Sequence, residues 1–321
     1  MAQHFLLSAA ARSLSLAKVA RMTDEEARDA FRLIRWASTE GQPVCPRCGC
    51  LGVYALKCRP AFMCKSCNRQ FSVTSGTIFA DRKLPIRDYL LAIAIFVNEV
   101  KGKNALALSR DLNVSYMTAF VLAHKIREAL AAEVETLQLS GEVEVDGCYI
   151  GGHVRPANYK ENRIDRRKAE NQTGKRRVVV VMRERNGRTL PFAFRTEGES
   201  VETIAERVAP DATVHADEAA HWDKLHAIFL MKRINHQHSY SDGEACTNAA
   251  ESFFSRIRRA EAGHFHHLSG PYLVAYSREM AWREDHRRVS NGEQYLMVAN
   301  AALTHPVSRQ WKGYWQRLSN R

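Results

Sequence analysis

Apolar residues recur along this chain in two rhythms, and the change between them divides it before any motif is read. Between residues 23 and 36 the rhythm is helical, with Ala27, Ala30, Phe31 and Ile34 at three- and four-residue intervals. Thr23-Asp-Glu-Glu26 precedes them as a capping box, in which Thr23 caps forward and Glu26 reaches back. A second helical block opens at Leu84. Pro85 stands in the first turn of a helix through Asn98, where proline is tolerated. Asn104 to Leu112 is a shorter helix closed by Asn113-Val114, and Ser115 caps a longer one through Arg127 and Leu130. A short helix, a tight turn and a capped longer helix form a helix-turn-helix pattern. Read that way, the longer helix offers Tyr116, Thr118 and His124, with Lys125 and Arg127 for phosphates. A plain three-helix packing module has the same pattern.

After a linker expected to be helical (131–139), the rhythm shortens to two. Glu142-Val-Glu-Val-Asp-Gly-Cys-Tyr149 alternates charged and apolar residues, a half-buried strand running into the Gly151-Gly152 turn. Four valines within Arg177–Met182 predict a strand buried on both faces. Asn186-Gly187 is a hairpin turn, returning through Thr189–Phe194. The remainder reads as a helix over 199–208, a strand over 214–217 and a helical stretch over 222–230. A short strand near Arg233–His236 and a helix over 248–259 complete it. The intervening run 158–177 is polar and basic, a loop that is either a solvated face or a holder of nucleic-acid backbone.

Charge narrows the partners. Lys and Arg number 47 against 35 acids, a net +12, which favours a polyanion. No apolar run approaches the roughly 20 residues that span a bilayer. The first twenty residues lack a charged n-region and a continuous apolar stretch, so no secretory leader is predicted. Of eight cysteines, Cys45-Pro-Arg-Cys48 and Cys64-Lys-Ser-Cys67 form two knuckles separated by fifteen residues. That spacing suits one tetrahedral structural zinc held by Cys45, Cys48, Cys64 and Cys67, in a reducing, cytoplasmic setting. Gly49 and Asn68 suit the turns that follow the knuckles, and Tyr54, Phe62, Phe71 and Phe79 suit ribbon strands. Cys50 and Cys58 fall outside the pattern.

Three acids stand at element ends: Asp146 on the first strand of the alternating region, Asp217 closing a later strand, and Glu251 in the first turn of the last helix. Hard oxygen donors on separate elements, in a basic chain, point to Mg²⁺ or Mn²⁺ working on phosphates. Taken singly, each is an ordinary solvated carboxylate or helix cap. Glu144, Glu218 and Glu244 compete as nearby acids. His264, His266 and His267 lack the partners of a metal site, and packing or backbone contact with DNA suits them better.

The order of three strands, helix, strand, helix, strand, helix, with acids at those points, is similar to the ribonuclease-H-like (retroviral-integrase-like) fold. The chain resembles bacterial insertion-sequence DDE transposases with an N-terminal zinc ribbon and an ISXO-type transposase domain. The resemblance rests on the two knuckles followed by Arg69-Gln-Phe-Ser-Val-Thr-Ser-Gly-Thr-Ile-Phe79. It continues in Val145-Asp-Gly-Cys-Tyr-Ile-Gly-Gly152, His215-Ala-Asp217, Thr247-Asn-Ala-Ala-Glu-Ser-Phe-Phe254, His266-His-Leu-Ser269 and Glu279-Met-Ala-Trp-Arg283.

What the resemblance implies is a multidomain α/β enzyme. Its parts would be an N-terminal helical segment (1–40), a zinc ribbon (41–80), a helix-turn-helix-like DNA-binding segment (84–131), a ribonuclease-H-like catalytic domain (140–289) and a tail (290–321). Asp146, Asp217 and Glu251 would hold two Mg²⁺ or Mn²⁺ ions for DNA cleavage and strand transfer. The 33 residues between Asp217 and Glu251 are close to the separation such enzymes use. Asn248 would share or flank the third position. Arg258 would grip the transposon-end backbone where relatives commonly carry lysine. The implied partner is double-stranded DNA, both the element's terminal inverted repeats and its target, engaged by a homo-oligomer. Two rivals stay open: a zinc-ribbon regulator or domesticated transposase without chemistry, and a nuclease of the same fold.

Overall fold

The capping box at Thr23 forms as written: its hydroxyl accepts from the Glu26 amide at 3.2 Å, and the Glu26 carboxylate accepts from the Thr23 amide at 2.7 Å. It opens α2 (Asp24–Arg35), which follows the short α1 (Leu16–Ala20) and ends at Trp36. The computed structural model describes residues 5–152, 156–165, 168–171, 173–234, 246–268 and 270–319. These fall into two units, Met1–Glu133 with His286–Arg321, and Val134–Asp285.

In the first unit, β1 (Val53–Ala55), β2 (Phe62–Cys64) and β3 (Gln70–Phe71) form a small antiparallel sheet. Trp36 packs edge-on against Phe62 and Phe71, and Arg35 donates to the carbonyls of Ser72, Val73 and Ser75, tying α2 to the ribbon. Tyr54, Phe62 and Phe71 occupy strands as expected. Phe79 does not; it lies beyond them, buried against Tyr89. Next come α3 (Ile86–Asn98), α4 (Ala105–Asp111) and α5 (Tyr116–Ala132). Asn104 caps α4, Asn113 turns the chain at φ 51°, and Ser115 caps α5. The helix ends at Ala132 rather than continuing toward Leu139. Leu139 instead pairs in extended form with Val208, its amide donating to the Arg207 carbonyl at 2.8 Å.

The second unit is built on a five-stranded mixed sheet. β4 (Glu142–Ile150), β5 (Arg177–Glu184) and β6 (Thr189–Phe194) are antiparallel neighbours. After α6 (Val201–Arg207), β7 (Thr213–Asp217) returns parallel to β4, and β8 (Leu230–Ile234) lies parallel to β7. The order across the sheet is β6-β5-β4-β7-β8. The stretch expected to be helical to Leu230 is a 3-10 segment, Ala220–Ala227, and β8 begins where that helix was expected to end. His236, the far end of the strand expected there, lies outside the described residues. Then come α7 (Asn248–Ala260) and α8 (Leu273–Asp285).

Alternation in β4 and β5 divides the core between the two faces. Val143, Val145, Val180 and Met182 pack with Ile204, Trp222 and Leu225 on one side. Cys148, Val179 and Val181 pack with Phe253, Phe254, Ile257 and Met280 on the other. The four valines are therefore buried on both faces, as their run predicts.

The segment beyond residue 290 belongs to the first unit. α9 (Asn291–Thr304) packs against α2, α3 and α5. Before α10 (Tyr314–Ser319), Trp311 stacks on His124 with ring centroids 4.4 Å apart. Tyr314 and Trp315 gather on Phe120, and the Trp315 indole donates to the Met117 carbonyl.

Candidate functional site

Asp146, Asp217 and Glu251 come from the middle of β4, the end of β7 and the first turn of α7. Strand alternation puts Glu142, Glu144, Asp146 and Cys148 on the face that α7 covers. Asp146 accepts from the Gly147 amide at 2.7 Å. Its carboxyl is nonetheless pushed up to about 7, first by burial and then by the negative charges of Asp217, Glu251 and Glu197, against that hydrogen bond. Asp217 is half-buried, caps the Ala219 amide at 3.2 Å, and has its own carbonyl held by Arg233. Glu251 is exposed, as is Asn248 three residues before it. The carboxylates share a field without forming a closed cage: among the described residues, the four cysteines are the one set of ligand atoms all within 4.8 Å of one another.

Glu197 was not legible as a site residue. It opens the 3-10 segment Glu197–Ser200, just ahead of the helix expected over 199–208. A Cβ on Gly147 would fall 2.2 Å from its Oε1, so glycine beside Asp146 is what admits the Glu197 side chain. His221 faces it at 3.3 Å, and burial raises the Glu197 carboxyl against the favourable charge of His221.

Arg258 is exposed on α7, and its positive charge acts on the Cys148 thiol, two residues from Asp146 on the same strand face. The other two cations expected to meet DNA are placed differently. Arg127 is 2 % exposed, so it is withdrawn from any phosphate; Lys125 is half-buried, with its ammonium lowered first by burial. His124 is buried under Trp311 as well. What α5 presents outward is its first turn, where Tyr116 and Met117 are exposed.

In the ribbon, Cys45 and Cys67 lie with sulfurs 3.6 Å apart, as do Cys48 and Cys64. A tetrahedral zinc with Zn–S bonds near 2.3 Å sets its sulfurs roughly 3.8 Å apart, so the set fits one ion. Backbone amides of Cys67 and Ser66 hold the Cys64 thiol down to about 6, favouring the thiolate that a metal takes. Gly49 and Asn68 adopt φ of 71° and 53°, the left-handed turns expected after each knuckle. Cys50 stays outside the set, its sulfur accepting from the Gly52 amide, and neither Cys58 nor the histidines His264, His266 and His267 join any ligand set among the described residues.

Residues 138–285 match the ISXO2-like transposase domain, and residues 22–70 match the transposase zinc-ribbon domain. The chain is thus similar to IS1595-type transposases in two separate segments, a zinc ribbon and a transposase domain. It is also similar to an uncharacterised protein in transposable element ISH50 of Halobacterium salinarum, 23 % identical over 292 residues that cover 88 % of this chain and 98 % of that one. No solved structure matches. The matched transposase domain coincides with the second unit but for its first few residues, and so contains all three acids. Among the described residues, no helix is long and apolar enough to cross a membrane.

Proposed function

We propose that this chain is a transposase that cuts and joins DNA at the ends of an insertion sequence, with Asp146, Asp217 and Glu251 holding two divalent ions. One observation carries the reading. Asp146 is raised to about 7 by burial and by the charges of Asp217, Glu251 and Glu197, carboxylates drawn from distant points of the chain. Gathering like charges in a partly buried place costs free energy, which a bound divalent cation offsets. Carboxylate oxygens are also the hard donors that Mg²⁺ and Mn²⁺ take. Such ions, when bound, supply Lewis acidity to the attacking and leaving oxygens of phosphoryl transfer.

The chain's own part is positioning. Asp146, at the sheet centre, is suited to serve both ions, with Asp217 on the adjoining strand end and Glu251 reaching from the helix. Arg258, exposed beside Cys148, is suited to grip a DNA phosphate in bidentate fashion. The strand order β6-β5-β4-β7-β8, antiparallel on one side of β4 and parallel on the other, supports a ribonuclease-H-like domain. The zinc ribbon and the exposed start of α5 are the surfaces we assign to double-stranded DNA of the element ends. Because two ends are processed together, the working form is a homo-oligomer in the cytoplasm.

The test uses purified protein and labelled duplexes bearing the inverted repeats that flank its own coding sequence. Mg²⁺- or Mn²⁺-dependent nicking and joining is expected in the wild type and absent from Asp146→Asn, Asp217→Asn and Glu251→Gln. Nicking without joining would identify a nuclease. Tight end binding without cleavage would leave a DNA-binding regulator.

A further inference from the structure

Glu144 is a buried carboxylate that the proposed chemistry does not use. It is 2 % exposed on β4, two residues before Asp146 and on the same strand face. A carboxylate in that position needs strong hydrogen bonds. It finds them at the start of α7, where the amides of Ala249 and Ala250 donate to its Oε2 at 2.7 and 3.1 Å. Thr247, the residue preceding α7, makes no side-chain cap bond. Glu144 therefore satisfies amides that the helix's own cap leaves open, and its charge complements the helix N-terminus.

Arg185 extends the arrangement. Its Nε lies 3.4 Å from the Glu144 Oε1, and its terminal nitrogen lies 3.2 Å from Nδ1 of His215. His215 is fully buried and meets Glu142 through its other ring nitrogen. The spacing is regular. Glu144 precedes Asp146 by two residues, His215 precedes Asp217 by two, and Ala249 and Ala250 immediately precede Glu251. One buried polar network thus underlies the attachment points of all three acids.

We propose that Glu144 is the positioning residue of the acid site: by capping α7 from β4, it fixes where Glu251 stands relative to Asp146. Arg185 and His215 carry the same constraint to Asp217. The proposal rests on the metal-site reading above. Its physical basis is a difference in how the acids are held. Asp146 and Asp217 stand on strands joined by a backbone ladder, with Glu144 opposite His215. Glu251 stands on a helix with no ladder to the sheet. Apolar packing of Phe253, Phe254 and Ile257 leaves some freedom to slide along the helix axis, whereas two short charge-assisted hydrogen bonds do not. Glu144 touches no reacting atom and acts through α7.

The experiment is Mn²⁺ binding to the full-length, zinc-loaded chain, read from the paramagnetic resonance of free Mn²⁺. Hydrogen exchange at the start of α7 is measured alongside. Groups that orient metal ligands typically cost 10–100-fold in affinity when removed. Glu144→Ala is expected to weaken Mn²⁺ binding by about tenfold or more and to speed exchange of the Ala249 and Ala250 amides. Glu144→Gln, which keeps an acceptor oxygen for those amides, is expected to recover most of that affinity. Should Glu144→Ala fail to fold, Arg185→Gln, changed at a partly exposed side chain, carries the same test and is expected to weaken binding in the same direction. Folded Glu144→Ala or Arg185→Gln with wild-type Mn²⁺ affinity, while Asp146→Asn has lost it, would overturn the positioning role alone. Unchanged Mn²⁺ binding in Asp146→Asn would overturn the metal-site reading and this proposal together.

Discussion

Asp146 sets the electrostatics of the second unit, and its sign can be followed through pH. Its folded-state value near 7 lies above the usual 3.8, so the folded protein binds the proton more tightly than the unfolded chain. The resulting stability is complete below about 4 and lost as pH rises through 7. Asp146→Asn removes that loss. Without divalent metal at pH 7.5 it is expected to stabilise the folded state by roughly 1–3 kcal/mol, discounted for partial solvent access, and to give no gain near pH 4. Thermal melts of both proteins across that range check it. At this scale the sequence was informative where residue type carries the chemistry. The four cysteines were legible as one set because paired knuckles have few other purposes; the three acids could be singled out as candidates, although Asp146 lies in the middle of β4 and not at its end. Glu197 was not legible, because what brings it to Asp146 is the missing Cβ of Gly147, a contact across the fold that no local pattern encodes.

The elements were legible where caps and turn residues are local. Thr23, Asn104 and Ser115 begin helices as read, and the Asn186-Gly187 turn joins β5 to β6. The exposure of α5 was not. The helix-turn-helix pattern and the basic charge point its surface to DNA, and neither registers what else covers it. The cover comes from residues nearly two hundred positions later, where Trp311 and Trp315 pack on His124 and Phe120. Burial of His124 follows from that return of the chain. The ribbon, by contrast, has strands of only two or three residues, too little to persist without its metal. One zinc per chain is expected by elemental analysis. Removing it with a chelator should collapse amide protection in β1–β3 while β4–β8 keep theirs. Equal loss in both sheets would contradict a zinc role confined to the ribbon.

Across the whole molecule, the two units are expected to answer acid in opposite senses. In the first, burial holds the His124 imidazole well below its ordinary range, with the Arg127 charge adding to it. A depressed histidine contributes stability that is complete above about 6.5 and lost as pH falls toward the folded value. In the second unit, Asp146 contributes stability that is gained as pH falls below 7. Moving the zinc-loaded protein, free of Mg²⁺ and Mn²⁺, from pH 7.5 to 5.5 should therefore weaken Met1–Glu133 with His286–Arg321 and strengthen Val134–Asp285. Hydrogen exchange resolved by segment, corrected for the intrinsic pH dependence of exchange, distinguishes this from a uniform shift. The central claim is that acids from three separate elements hold divalent metal for one reaction. Replacing a hard oxygen donor with a thiolate tests it most directly, because a cysteine ligand disfavours Mg²⁺ far more than Mn²⁺. Asp217→Cys and Glu251→Cys are expected to be inactive on element-end duplexes with Mg²⁺ and to regain nicking with Mn²⁺. Activity restored by neither ion, or retained equally with both, would contradict direct ligation by these residues.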